Sequence, residues 1–148
     1  METGDVFLWR NYPYAVTGKI KDRWFLYLGK YRVDPFSEIY LLIPTATTQL
    51  HHFEPGGRRA SHSYIMIKAS DGFGFEADCV IDFDEVFYDT TERDFVQFCS
   101  RGDIIPKGRI DNQQTLIKIY KAVEAARDVD RCIKLCVRDN LKAIGVNI

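Results

Sequence analysis

The stretch Glu38–Gln49, EIYLLIPTATTQ, decides how the rest of the chain is interpreted. Its apolar run, Ile39–Ile43, is uninterrupted and ends at Pro44. A continuous apolar run this short favours a strand buried on both faces, because a helix needs about ten residues or more. We therefore predict a central strand over Glu38–Pro44. It delivers hydroxyl and amide side chains to its end, namely Thr45, Thr47, Thr48 and Gln49.

A second apolar run, Trp24–Leu28, lies upstream and begins directly after Arg23. If the two runs pair in one sheet, the guanidinium of Arg23 lies near the threonines that follow Pro44. A guanidinium presents several hydrogen-bond donors to phosphate oxygens, and hydroxyl groups add further donors. The sequence thus predicts a phosphate site where these two strands meet.

Length and charge limit the class of protein. A chain of 148 residues is long enough for one domain with its own core, and we interpret residues 1–148 as a single domain. Its high aromatic content and ordinary charge are typical of a globular protein. The formal net charge of −1 excludes a protein held to nucleic acid by its overall charge, so any RNA contact requires a local basic patch.

The segment between Arg10 and Arg32 is such a patch. Asp22 is its single acid, and its cations are Arg10, Lys19, Lys21, Arg23, Lys30 and Arg32. Aromatic residues are interleaved with them or adjacent, namely Trp9, Tyr12, Tyr14 and Trp24. This combination is typical of single-stranded RNA binding through backbone contacts and base stacking. An ordinary mixed surface above core aromatics gives the same pattern, and the sequence leaves both interpretations open.

Several other classes are excluded. The four cysteines form neither a CxxC pair nor a zinc-like spacing, so we predict no metal site and no cofactor. Cys132 and Cys136 are four residues apart on a predicted helix, and we expect both to face the core. No signal-peptide pattern is present, and no apolar run approaches the roughly 18 residues of a membrane span. We expect a soluble, cytoplasmic protein without membrane contact.

The remaining segments predict further strands and a helical C-terminus. The predicted strands besides the central one are Val6–Tyr12, Arg23–Gly29, His62–Ala69, Phe73–Glu76, Cys79–Asp82, Glu85–Asp89 and Asp94–Ser100. Asp71-Gly72 is a hairpin signal, and residues 51–61 lack periodicity and predict a mobile loop. From Asp111 the apolar residues recur at three- and four-residue steps, which predicts helix over about 111–141 with a bend near residues 128–130. Asp111 and Gln114 have the spacing of a helix N-cap and its partner.

These elements describe a mainly β protein with a C-terminal helix, and their order resembles the MazF, PemK and Kid family of toxin endoribonucleases. The resemblance rests on Gly4-Asp5-Val6-Phe7, Arg23, the apolar strand ending in Pro44, Thr47-Thr48-Gln49, the segment 74–81 (GFEADCVI), Arg93, Gly102-Asp103-Ile104 and the final helix. It implies a small SH3-like β-barrel with a closing helix.

The resemblance also implies an activity: metal-independent cleavage of single-stranded RNA, in which a ribose 2′-OH attacks the adjacent phosphorus and gives a cyclic phosphate. In this interpretation Arg23 and Thr47 are the catalytic residues. The implied RNA-binding residues are Lys19, Lys21, Thr48 and Gln49. The implied partners are single-stranded RNA, a second copy in a homodimer whose interface frames the RNA groove, and an antitoxin protein that covers the groove.

One segment departs from the family. Members commonly carry a Glu-Gln-Gly-x-Arg-Pro type signature before strand two, whereas residues 16–24 read VTGKIKDRW here. Arg23 is retained, but the acidic-Gln pair is missing and Trp24 replaces the proline. This departure favours a second interpretation: a non-catalytic binding module of the same shape, or a protein that holds a protein target as the gyrase-poison relatives of this fold do.

Other titratable residues are weaker candidates for the site. His51, His52 and His62 are candidates because an imidazole in general suits an acid or a base at neutral pH, but the resemblance does not point to them. Asp82, Asp84 and Glu85 cluster where some family members place an acidic residue. We expect all six to have ordinary structural or solvent-exposed roles.

Overall fold

The structure is a computed structural model that describes residues 1–15 and 17–148. Val16, the first residue of the segment that departs from the family signature, lies outside the described residues. The strands are β1 (Asp5–Tyr12), β2 (Lys21–Leu26), β3 (Lys30–Tyr31), β4 (Tyr40–Leu41), β5 (Thr45–Thr47), β6 (Tyr64–Ile67), β7 (Cys79–Asp82), β8 (Thr90–Thr91) and β9 (Ile104–Arg109). The α-helices are α1 (Glu92–Ser100), α2 (Gln113–Ala125) and α3 (Arg131–Ala143).

Two antiparallel sheets organise these strands. Six strands form the larger sheet in the order β6-β7-β5-β2-β1-β9, and three form the smaller one in the order β3-β4-β8. No ladder joins β6 to β9 in the described part of the chain, so the larger sheet is open. The fold is mainly β with a C-terminal helical segment, as the sequence predicted, and a further helix, α1, precedes β9.

Of the predicted central strand Glu38–Pro44, only Tyr40–Leu41 is a strand, β4 of the small sheet, so its predicted length is wrong. The chain then bends through Leu42 and Ile43 and enters β5 of the large sheet after Pro44. Backbone bonds continue through the bend, since Leu42 N–H donates to Gly29 at 2.9 Å and Ile43 N–H donates to Phe87 at 2.8 Å. Leu42 packs into one apolar core and Leu41 and Ile43 into another. The prediction of burial on both faces is therefore confirmed.

The two cores lie on opposite faces of the large sheet because successive side chains of a strand point to opposite sides. Val6 of β1 joins a core that also contains buried residues of α2 and α3. Phe7 and Trp9, on the other face of β1, join a second core with Phe25 and with Phe95 of α1. The two C-terminal helices thus cover one face, and α1 covers part of the other.

Three of the predicted strands are wrong. Asp94–Ser100 belongs to helix α1, which begins after Thr91, whose hydroxyl accepts the N–H of Asp94 at 3.2 Å. Residues 73–76 and 85–89 contain no strand. After Asp71, Gly72 ends a short 3-10 helix in the left-handed region instead of forming a tight hairpin turn.

The C-terminal helical segment is confirmed, with two corrections. It is divided into α2 and α3, and the break falls at residues 126–130 as predicted. The N-cap of α2 is Asn112, which accepts the N–H of Thr115 at 3.0 Å, so the predicted cap at Asp111 is wrong by one residue. Cys132 is exposed and Cys136 is half-buried, so the prediction that both face the core is wrong for Cys132. No helix in the described ranges has the length and apolarity that a membrane span requires.

Candidate functional site

The candidate site lies on the sheet face that α2 and α3 do not cover. The register of the ladders places its residues: Trp9 pairs with Arg23, Trp24 with Ala46, and Thr47 with Val80. Continuing the β2–β5 register by one residue sets Arg23 opposite Thr47. Side chains directly opposite on antiparallel strands have Cβ atoms about 4.5–5.5 Å apart. The two predicted catalytic residues therefore lie side by side on one face.

Arg23 is half-buried beside the aromatic residues of β1. Its guanidinium carbon lies 5.8 Å from the centre of the Tyr12 ring, a cation–π distance. Its Nε is buried, and none of the described residues accepts a hydrogen bond from it. A buried donor without a partner costs free energy, about 1–3 kcal/mol. The residue as a whole is half-buried, so the rest of the guanidinium is open to an anion from the solvent side.

Tyr12 lies near both Arg23 and the acidic residues of the site. Its pKa is raised to about 12, chiefly by burial and next by Asp89, while Arg23 opposes the shift and Glu85 adds to it. These three charges act on one phenol because they lie around it. The Tyr12 hydroxyl stays protonated at neutral pH and is a neutral hydrogen-bond donor beside the guanidinium.

Thr47 and its neighbours follow the end of β5. The Thr47 hydroxyl oxygen accepts the N–H of Gln49 at 3.1 Å, which fixes the turn and leaves the O–H free to donate. Thr48 and Gln49 are exposed, and Gln49 Oε1 lies 3.0 Å from Nε2 of His52. Thr45 lies two residues before Thr47 and so shares its face.

The predicted lysines lie near the start of β2. Lys21 pairs with Tyr12 across the β1–β2 ladder, and its side chain is exposed. Lys19 is exposed in the segment that leads into β2. Two positions separate Lys21 from Arg23 on one strand, so both side chains point to the same face.

Only part of the expected aromatic surface is accessible. Trp9 is fully buried, and Trp24 faces the opposite core, where it packs on Phe75 with ring centres 5.8 Å apart. Trp9 is therefore not free to stack on a base, and the half-buried Trp24 lies on the face opposite to Arg23. Tyr14 is 48% exposed and Tyr12 half-buried, and their rings are 5.7 Å apart. The accessible stacking surface on this side is therefore formed by the two tyrosines.

A cluster of charged side chains lies on the same face, at the other end of β5. Asp82 is fully buried, and its Oδ2 lies 2.8 Å from Nδ1 of His62 and 3.4 Å from a terminal nitrogen of Arg59. Arg59 also contacts Glu85 at 3.3 Å. Continuing the pairing of Ala46 with Ile81 sets Thr45 opposite Asp82. The cluster is therefore a neighbour of the Arg23–Thr47 pair.

Sequence reasoning had given these residues ordinary roles. His62 and Asp82 are 20 positions apart, and only the β6–β7 ladder brings them together. The available signal was a carboxylate at the end of the apolar strand CVID, since an aspartate buried in a strand requires polar partners.

Within the described residues, no group of three or more histidine, cysteine or carboxylate side chains is arranged to hold a metal ion. No family model matches the chain, and a search of curated proteins finds no match either. The functional interpretation accordingly rests on the geometry of this face and on the resemblance of the sequence motifs.

Proposed function

We propose that the chain is a metal-independent endoribonuclease that cleaves single-stranded RNA by attack of a ribose 2′-OH on the adjacent phosphorus. The products are a 2′,3′-cyclic phosphate and a 5′-OH end. The observation that supports this most is the register that sets Arg23 opposite Thr47, so that a half-buried guanidinium and a hydroxyl donor share one face. A phosphate oxygen is the ligand that this donor set fits best.

The residues of the site have distinct roles in this proposal. Arg23 donates to the non-bridging oxygens and stabilises the charge that builds up at the pentavalent phosphorus, and Thr47 donates to the same group. Tyr14 stacks on a neighbouring base, and Lys21 contacts the next phosphate. Lys19, Thr48 and Gln49 extend the contact along the strand in the same way.

We also propose that the two sheets are parts of one SH3-like barrel. The hairpin of β2 and β5 continues into β3 and β4, because Leu28 N–H donates to Leu42 at 2.8 Å and Leu42 N–H donates to Gly29 at 2.9 Å. Gly29 has a φ of 100°, a left-handed conformation that suits an irregularity where strands turn from one sheet into another. A corner of this kind is a common feature of small barrels.

The proposed family relationship carries proposals about partners. The chain acts as a homodimer whose interface frames the RNA groove, and a cognate antitoxin protein covers that groove in the inhibited state. As a toxin that cleaves mRNA, it acts in the cytoplasm. Support for these statements is the resemblance of the sequence motifs.

The test is cleavage of a long single-stranded RNA in EDTA, with mapping of the new ends. Wild type is compared with Arg23→Ala, Arg23→Lys and a matched control, Arg138→Ala, which removes a guanidinium from α3. Because loss of one donor to a developing oxyanion costs about 100–1,000-fold in rate, we expect at least that loss for Arg23→Ala. Arg23→Lys keeps the charge but loses the planar donor pair, so a partial loss is expected.

The outcomes separate the candidate functions. Cuts with cyclic phosphate ends that disappear in Arg23→Ala and persist in Arg138→Ala support the proposal. Intact RNA at high wild-type concentration refutes it and leaves the non-catalytic binding module, or the protein that holds a protein target. Equal cleavage by wild type and Arg23→Ala assigns the activity to another site or to a contaminant.

A further inference from the structure

The proposed reaction requires a base for the 2′-OH proton, and neither Arg23 nor Thr47 is suited to that role. A guanidinium stays protonated in proteins, and a threonine hydroxyl is a weak base. Tyr12 is held in its protonated form by its raised pKa. The face must therefore supply another group if the reaction uses general base catalysis.

His62 meets the geometric requirement. Its Nδ1 lies 2.8 Å from Oδ2 of the fully buried Asp82, so Nδ1–H donates to the carboxylate. In a neutral ring this bond fixes the tautomer with the proton on Nδ1, so Nε2 is the nitrogen that can accept a proton. The side chain of His62 is 29% exposed, whereas that of Asp82 is 0% exposed, so the imidazole is the member of the pair that a ligand can reach.

Asp82 is held in place by more than His62. Its Oδ1 accepts the N–H of Asp84 at 2.9 Å, and Arg59 lies 3.4 Å from Oδ2. The carboxylate therefore has a backbone donor and a cationic partner of its own besides the ring N–H of His62. A carboxylate fixed in this way holds the imidazole in one orientation.

The pair also lies within reach of the phosphate held at Arg23. Asp82 is two strands from Arg23, and the row of Asp82 and Thr45 is two residues along from the row of Arg23 and Thr47. With strands about 4.8 Å apart and about 3.3 Å per residue, the Cα atom of His62, one strand beyond Asp82, is about 20 Å from that of Arg23. The side chains narrow this gap, because Arg23 lies over the Tyr12 ring and the charge of Glu85 acts on Tyr12. Glu85 in turn shares Arg59 with Asp82, so a phosphodiester and its ribose have only the remaining space to bridge.

We propose that His62 is the general base of the cleavage and that Asp82 is its positioning residue. The inference rests on the proposed function. Nε2 takes the proton of the 2′-OH while the 2′-oxygen bonds to phosphorus and the bond from phosphorus to the 5′-oxygen breaks. The 5′-oxygen takes a proton from solvent, and the imidazolium returns its proton to solvent, so protons and charge balance over the cycle.

The test measures kcat and KM separately on a short RNA with one cleavage site, for wild type, His62→Ala, His62→Gln and the control His51→Ala. Removal of a general base typically costs about 100–10,000-fold, so we expect kcat of both His62 variants to fall at least 100-fold while KM changes little. His51 is exposed in the neighbouring loop and its variant should keep wild-type kcat. His62→Gln retains an amide donor for Asp82, which guards against a loss that comes from misfolding.

Two further readouts separate a base from a structural residue. Added imidazole should raise the kcat of His62→Ala at least tenfold and should leave the kcat of Arg23→Ala unchanged. A substrate with a sulfur leaving atom at the 5′ position needs no proton on departure, so it should leave the His62→Ala defect unchanged. Restoration of full rate by this substrate shows that His62 is the acid and overturns the proposal.

The remaining outcomes also support or refute the assignment of His62 as the base. Wild-type cleavage with kcat of both His62 variants within threefold of wild type refutes the inference and leaves the proposed function standing. A folded His62→Ala variant that imidazole does not restore refutes it as well. An inactive wild type refutes the proposed function itself, and the base assignment with it.

Discussion

Replacement of Asp84 tests whether its carboxylate stabilises the fold by joining two distant segments of the backbone. Its Oδ2 accepts the N–H of Ser63 at 2.6 Å, and its Oδ1 accepts the N–H groups of Arg127 at 3.0 Å and Asp128 at 3.3 Å. One side chain thus joins the residue before β6 to the connection between α2 and α3. A hydrogen bond to a charged group is worth about 1.5–3 kcal/mol.

Two of these bonds have good lengths and the third is long, and the site is partly open to water. We therefore expect Asp84→Ala to lower the free energy of unfolding by about 3 kcal/mol. For a chain of this size, that loss corresponds to a fall in Tm of about 6–12 °C. Asp84→Asn keeps one acceptor oxygen and turns an NH2 group toward the other donors, so we expect about half of the loss or somewhat more.

The assay is urea unfolding followed by circular dichroism, with thermal melting as a second measure. Asp139→Ala is the matched control, because Asp139 is 65% exposed and, among the described residues, its carboxylate forms hydrogen bonds only with the neighbouring Arg138. The control should stay within about 0.5 kcal/mol of wild type. An Asp84→Ala variant within about 1 kcal/mol of wild type refutes the assignment, since water would then replace all three bonds at little cost.

Three other predictions concern stability and reactivity. Burial raises the pKa of Tyr31 to about 12 from its usual 10.0. The stability that this shift contributes is complete below pH 10.0 and is lost as the pH rises to about 12. The free energy of unfolding, measured across this range, should therefore fall less steeply in Tyr31→Phe than in wild type. Burial raises the pKa of the Cys79 thiol to about 12, so a thiol reagent at pH 8 should modify exposed Cys132 quickly in the folded protein and Cys79 only on unfolding, as Cys→Ser variants would show. Gly29→Ala should cost about 1–3 kcal/mol, because φ is 100° and an added Cβ would collide with a side chain of α3, whereas Gly56→Ala, in open space, should cost less in the same unfolding assay.

The elements with one dominant pattern could be predicted from the sequence. The run CVID of β7 and the three- and four-residue apolar steps of α2 and α3 each point to one structure. The segment Asp94–Ser100 was predicted as a strand, although Phe95 and Phe98 are three residues apart, the spacing of one helix face. Both rings contact Trp9, with centres 5.7 and 5.0 Å away. The period should have been interpreted as helical.

The strand β9 was missed for a different reason. It contains Pro106 and Gly108, which both disfavour a strand interior. An edge strand tolerates proline because one row of its backbone groups has no partner, and β9 is an edge strand of the large sheet. Propensity alone does not show that a segment will lie at an edge, so tertiary context decided this element.

Part of the candidate site could be predicted from local sequence patterns, and part depends on tertiary context. Arg23 and Thr47 could be placed together because each lies at the end of an apolar run, and two such runs pair in a predictable way. The contact of His62 with Asp82 depends on the register of β6 against β7 and on the long loop that precedes β6. No local pattern in the sequence encodes that register.

The placement of Arg23 lowers the stability of the fold, and a role in ligand binding would explain why the residue is there. Trp9 and Arg23 form one cross-strand pair, and each has a buried nitrogen, Nε1 and Nε respectively, without an acceptor among the described residues. A core that served stability alone would use an apolar side chain beside Trp9, because an unpaired buried donor costs about 1–3 kcal/mol. Trp9 is fully buried, whereas Arg23 is half-buried, so a ligand reaches the guanidinium group but not the indole. A guanidinium kept at this cost, beside a threonine and near an oriented imidazole, is what binding and reaction of a phosphodiester would require.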